Sequence, residues 1–422
     1  MKDLTKEPLS RRTVNMHANL KSSIYTIVFA LGIWMGVPPT QAQMQLTLDA
    51  QGRGFSLSTY ATYAPGTMGG LHPNGIGYRT DGQVLMADSN GDIYLFPDHV
   101  DGKIAGAENR VAAYGVNNAA AFAQIQSGNL FNYFMGQAAL GRIIQVDRDG
   151  QFTGNVIVNG TSQIVQSVPF PSVRLVGNTP GYTGHFFVSS PTAATIWNVD
   201  PVAKTKTVFA HPTGLGPDGM AFSSDGHYLF VALNTPSKIR AYNVMAPTIF
   251  TDSPVIQSGM PPVLSHTDGV TVGVGSLDGY VYANNNDGSV WEWGAPVGPH
   301  VGELRQLAFG GSRGDISFID PYVRGGGSIG YPSMLLSQAD SVLRLSPPFD
   351  GGFFGGPTED YLVFGDINGD GVVDLFDATA LVEVLLGTPL DPSDTGRSDL
   401  NNDGRVNGLD IQPFIKALLG YY

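Results

Sequence analysis

The chain of 422 residues has no cysteine. Disulfides, thiolate metal sites, thiol nucleophiles and a lipid-modified cysteine are therefore excluded. Basic residues are also scarce, 23 against 36 acidic ones, and the formal charge of −13 leaves no clustered Lys and Arg for phosphates, so nucleic acid is excluded as a partner. Three chemical signatures are missing as well: Gly-x-Ser-x-Gly, His-Glu-x-x-His and a P-loop. Serine-hydrolase, zincin and nucleotide chemistry thus lack support. Only 14% of the residues are charged and 42% are hydrophobic, which fits a folded chain. The 55 glycines and 28 prolines follow no collagen period and point instead to many tight turns between short strands, hence an all-β body.

Residues 1–42 read as an export signal: basic Lys2, Lys6, Arg11, Arg12 and Lys21, an apolar run from Ile24 to Val37, then Pro38-Pro39 and Ala42. The run is shorter than the roughly 20 residues a membrane span needs. Cleavage near Ala42-Gln43, with no span afterwards, predicts a secreted or cell-surface bacterial protein.

At the other end two segments repeat at an offset of 33 residues. One runs Asp366-Ile-Asn368-Gly-Asp370-Gly371-Val372-Val373-Asp374-Leu375-Phe376-Asp377. The other runs Asp399-Leu-Asn401-Asn-Asp403-Gly404-Arg405-Val406-Asn407-Gly408-Leu409-Asp410. Ca²⁺ takes six to eight oxygens, and side-chain oxygens at positions 1, 3, 5, 9 and 12 with a carbonyl at position 7, here from Val372 and Arg405, suit it. Glycine at position 6 permits the sharp turn. An apolar, helix-compatible stretch follows each loop, 378–387 and 411–420, and each ends in glycine. Residues 361–422 hold ten acids and three bases, a net of 3 − 10 = −7 that two Ca²⁺ would largely offset.

Both loops close on Asp rather than Glu, and the first has no helical pattern leading into it. Tandem loops with exit helices only, over about 362–422, resemble a type I dockerin. The resemblance implies two Ca²⁺ ions and docking to a cohesin-like protein, with positions 10 and 11 (Leu375, Phe376, Gly408 and Leu409) helping to choose the partner. A rival reading is a calcium-stapled cap that packs on its own protein.

The body, 43–360, carries a repeat. One unit is Pro73-Asn74-Gly75 followed by Asp81-Gly82. The next clear one is Pro217-Asp218-Gly219-Met-Ala-Phe-Ser-Ser-Asp225-Gly226, and a third is Thr267-Asp268-Gly269-Val followed by Asp278-Gly279. Each reads as strand, Asp-Gly turn, strand, loop, strand. Weaker copies run from 118, 172 and 306, so the steps are 44, 54, 46, 50 and 38. Six such units predict a six-bladed β-propeller, with the extended segment Gln45 to Thr62 closing the ring. The expected chain is thus an all-β propeller with a small α-helical, calcium-binding, dockerin-like module at 361–422.

The run from Pro217 to Gly226, with Thr267-Asp268-Gly269-Val after it, resembles the gluconolactonase and senescence marker protein family, propellers with a divalent metal in the central channel. The resemblance places Asn74, Asp218 and Asp268 at that metal, with Asp268 as a base activating a metal-bound water. Asn74 stands where the family has Glu, and Asp218 where it has Asn. The bland alternative is that each of the three caps the turn into its strand. His72 and His266 lie two residues before candidate ligands. Two principal readings stand open: a propeller that binds a carbohydrate or lactone ligand at an altered metal site, or a metal-dependent hydrolase of lactones or carbohydrate derivatives. A non-catalytic surface scaffold is the third.

Overall fold

The computed structural model describes 44–64, 73–78, 84–97, 100–115, 120–127, 130–147, 150–161, 166–169, 182, 184–213, 215–223, 226–258, 263–264, 267–274, 277, 279–296, 300–311, 317–319, 333–348, 353–354, 365, 367–368, 373–388, 398, 400 and 406–419. Two units divide the chain, Met1–Gln43 and Met44–Tyr422, and the described residues belong to the second. The expected export signal, 1–42, lies outside them.

Among the described residues, six of the seven sheets follow one another along the chain and make six blades, antiparallel throughout except where Lys103–Ala105 adds in parallel to Ser56–Tyr63. Their innermost strands are Pro73–Tyr78, Ala120–Ser127, Gln166–Pro169, Pro217–Phe222, Thr267–Val274 and Ser317–Ile319. The steps between them are 47, 46, 51, 50 and 50 residues. This is more even than the expected spacing, because two starts move. The third blade begins at Gln166 rather than 172, and Arg305 belongs to Leu304–Phe309, the outermost strand of the fifth blade. Long connections, 170–185 and 320–333, separate the first and second strands in those two blades. The repeat was readable there only from the third strands, Thr195–Asp200 and Ser341–Ser346.

Apolar runs such as Leu229–Leu233 form strands buried on both faces, because successive side chains point to opposite sides of a sheet. Leu229, Val231 and Leu233 pack toward the third blade with Phe187, Phe209 and Met220. Phe230 and Ala232 pack toward the fifth with Val270, Val281 and Trp293. Six such apolar clusters fill the six junctions between neighbouring blades. Gly226 and Gly279, in the predicted Asp-Gly turns, have φ of +69° and +86°, the left-handed region that favours glycine.

The ring is closed from the amino-terminal side. Ser56–Tyr63 is the fourth strand of the sixth blade, antiparallel to Ser341–Ser346. The closing segment divides, however: Gln45–Leu46 pairs with Leu304–Phe309 at the rim of the fifth blade. Helix α1 (Leu48–Gly52) lies between, capped by the Thr47 hydroxyl, which accepts from the Ala50 N–H at 3.1 Å. Arg53 then reaches the fully buried Glu292 with two guanidinium nitrogens, one donating to Oε2 at 3.0 Å, and Arg305 lies 2.9 Å from Oε1. One strap thereby secures two blades.

In the tail, helix α2 (Leu375–Leu385) begins three residues earlier than the sequence predicts, because Asp374 and Asp377 form a capping box at its start. Helix α3 (Ile411–Leu418) has no such first turn, and Gly408 stands where the first repeat has Leu375. Ile367, Ala380, Leu381, Leu400 and Phe414 form a small core drawn from both repeats. Gly365 sits so close to Ala417 of α3 that a Cβ there would lie 2.5 Å from the alanine Cβ.

Candidate functional site

The last residue of each calcium loop is a fully buried carboxylate. Asp377 Oδ1 accepts from the Ile367 N–H at 2.7 Å and the Asn368 N–H at 3.0 Å, and its Oδ2 from the Asp374 N–H at 2.8 Å. The second loop repeats the pattern at the 33-residue offset: Asp410 Oδ1 accepts from the Leu400 N–H and Oδ2 from the Asn407 N–H, both at 2.8 Å. Position 9 also acts twice in register, the Asp374 side chain accepting from the Phe376 N–H at 2.7 Å and Asn407 Oδ1 from the Leu409 N–H at 2.9 Å. Each carboxylate therefore draws the start of its loop to the start of its helix. Asp366, Asp370, Val372, Asp399, Asn401, Asp403 and Arg405 lie outside the described residues. The described loop ends offer oxygen donors only, the set a hard cation takes.

Around these buried acids the helices turn apolar side chains outward. Leu375 and Phe376 are 73% and 72% exposed, and Leu409 is 66% exposed. Val382 and Leu386 continue the α2 stripe, and Ile415 and Leu419 stand at the same offset on α3. Exposed apolar surface thus recurs in register along the two repeats.

In the propeller, Asp218 and Asp268 lie near the starts of neighbouring innermost strands and are 8% and 5% exposed. The strands touch there: a Cβ built at Gly219 would sit 2.2 Å from the Asp268 carbonyl oxygen. Asn74 begins the innermost strand of the first blade, at the same end of the ring but two blades beyond Asp268. Its side chain, like His72 and His266, lies outside the described residues. Among the described residues no group of three or more His, Cys, Asp or Glu gathers to hold a metal.

Sequence reasoning missed Asn234, whose Nδ2–H donates to Asp218 Oδ2 at 3.0 Å. It ends the second strand of its blade, as Asn285 and Asp88 end theirs, although in register it stands one residue further on: Leu233 is opposite Pro217, where Asn285 is opposite Thr267 and Asp88 opposite Pro73. A polar residue at the end of each second strand was the signal available. Burial pushes the Asp88 carboxyl up to about 6, helped by the charge of Asp92 and opposed by the N–H groups of Asp92 and Asn90, which donate to its Oδ1 at 3.0 and 2.9 Å. Asn234 Oδ1, Thr267 Oγ1 and Asn285 Oδ1 in blades four and five are buried with no hydrogen-bond partner among the described residues, and so are both amide atoms of Asn284, which shares the face of Tyr280 and Tyr282 toward the sixth blade. Each such group costs about 1–3 kcal/mol unless water, an ion or a ligand meets it.

The three described tryptophans are packing residues. Trp293 lies in the core between blades four and five, and Trp197 and Trp291 pack beside cores with Lys206 over the Trp197 ring at 4.6 Å.

No curated protein matches the chain. Among solved structures, a streptogramin B lyase is similar at 12% identity, covering 69% of this chain and 98% of its own, with a TM-score of 0.43. An inactive virginiamycin B lyase from Staphylococcus aureus, with quinupristin, is similar at 13%, covering 69% and 99%, with a TM-score of 0.44. A nidogen/laminin complex is similar at 15%, covering 56% and 82%, at 0.40. Likenesses this remote say nothing about activity. No helix among the described residues is long and apolar enough to cross a membrane. The tail, in contrast, is matched by a family: residues 364–419 are a dockerin type I domain, carried behind a six-bladed propeller.

Proposed function

We propose that this is an exported protein whose calcium-organised dockerin tail tethers a ligand-binding propeller to a cohesin-bearing partner outside the cell. The observation that carries the reading is the doubled loop closure, in which Asp377 and Asp410 tie loop start to helix start in register beside two exposed apolar stripes. Two Ca²⁺ ions belong to it, one for each loop. The partner face that suits Leu375, Phe376 and Leu409 is itself apolar. Immobilised cohesin modules should capture the full chain in calcium and release it in chelator. Capture that survives the chelator, or none by any cohesin, would leave the rival reading, a cap packed on its own propeller.

For the propeller the reading is a neutral, hydroxyl-rich ligand such as a carbohydrate or lactone, bound between blades four and five. Asp218 and Asp268 with the unpartnered oxygens of Asn234, Thr267 and Asn285 form an oxygen-rich donor set, which also fits a hard divalent cation. When bound, such a cation polarises a carbonyl and lowers the pKa of water. On the second reading, hydrolysis of a lactone, Asp268 takes the proton from the attacking water as the ring ester bond breaks. The buried contact between the Asp218 and Asp268 strands favours it. Lactone turnover should then need divalent metal and fall at least a hundredfold in Asp268→Asn. An unchanged rate would rule that residue out as base.

A further inference from the structure

Phe353–Phe354, the short strand that follows the sixth blade, does not extend that blade. It pairs antiparallel with the fifth, Gly273 opposite Phe354 and Val274 opposite Phe353. In the order of strands it stands on the far side of Thr267–Val274 from the rest of the fifth blade. That far side is the free edge of an innermost strand, and in a propeller this edge borders the central channel.

The location along the strand matters as much as the side. Asp268 stands near the beginning of the strand and Gly273 near its end. At about 3.3 Å per residue the pairing lies roughly 16 Å from Asp268, at the opposite mouth. Gly273 is also crowded by Leu277: a Cβ there would meet its carbonyl oxygen at 2.1 Å. Leu277 therefore covers one side of Gly273 and leaves the channel edge for another strand. An innermost edge left bare exposes its N–H and C=O groups, and a strand added to it lies about 4.8 Å further into the channel.

We propose that Phe353–Phe354 is a stopper: this short strand, added to the channel edge of the fifth blade at the mouth away from Asp268, closes that mouth. Ligand then reaches Asp218 and Asp268 through the other mouth only. The tether is anchored on the same strand that carries Asp268, a link between tail and site that neither domain has alone.

Hydrogen exchange on the full chain tests this with the variant Phe353→Pro/Phe354→Pro, which removes both backbone donors of the short strand. Exchange in 270–276 should quicken roughly tenfold, about the loss of one hydrogen bond. Because a stopper shields the whole mouth, exchange at the end of the fourth blade's innermost strand, near Phe222, should quicken too, while 280–285 and both tail helices stay unchanged. A rise confined to 270–276, or no rise, would overturn the proposal. The absence of cysteine gives a second route. Val274→Cys/Phe353→Cys creates the only two thiols, on residues directly opposite each other, and mild oxidation should join them. Two thiols that react freely with maleimide yet never join would contradict the pairing even if the proline variant misfolds.

Discussion

The propeller and the dockerin domain hold themselves together in opposite ways. Between blades the propeller buries clusters such as Phe187, Phe209, Met220 and Phe222, and each strand serves two junctions at once. The tail has a core of five buried residues and two fully buried carboxylates that knit its loops. Apolar area can be buried without help, whereas a buried carboxylate needs partners and, across two such loops, a cation. The difference teaches that the fold of the tail should depend on calcium, whereas the fold of the propeller rests on apolar burial.

The comparison can be broken most forcefully in the tail. Asp377→Ala removes three charge-assisted hydrogen bonds at about 1.5–3 kcal/mol each, so about 5 kcal/mol of tail stability should go and α2 should melt even in calcium. Circular dichroism would show it as lost helix with the propeller transition in place. Glu292→Ala is the counterpart in the propeller. It strands Arg53 and Arg305 beside a hole and should cost about 3–5 kcal/mol, lowering the propeller transition and sparing the tail.

Asp88→Asn sharpens the picture by raising stability. The folded carboxyl titrates at about 6, above its unfolded value of about 3.9, so the folded state holds an extra proton between those values. Its contribution is full below about pH 4 and is lost as pH rises through 6. The amide keeps an oxygen for the Asn90 and Asp92 N–H groups. At pH 7 the variant should gain about 2 kcal/mol, and its melting temperature should flatten between pH 4 and 7. The smallest effect on folding belongs to Phe376→Ala/Leu409→Ala: both side chains are exposed, so stability should move by no more than about 0.5 kcal/mol while cohesin capture weakens at least tenfold. Capture at full strength would remove the apolar stripes from the docking face.

Much of this was legible in the chain because its signals are local. Asp225-Gly226 and Asp278-Gly279 announce turns, Leu229–Leu233 announces a strand buried on both faces, and the calcium loops announce themselves by spacing. The third and sixth blades were misplaced because their first strands stand apart from their second across long connections. The division of the amino-terminal strap, the Asn234 contact with Asp218 and the pairing of Phe353–Phe354 with Gly273–Val274 were invisible. Each joins residues whose neighbours in sequence say nothing of the partner, and two-residue strands have no period to read.

The most direct test of the account is thermal unfolding of the full chain followed by circular dichroism, with saturating Ca²⁺ and then with chelator. The account predicts that chelation removes the helical signal of the tail and leaves the β-sheet transition within a degree or two. A helical signal indifferent to chelation, or a propeller transition that falls with it, would contradict the claim that calcium organises the tail alone.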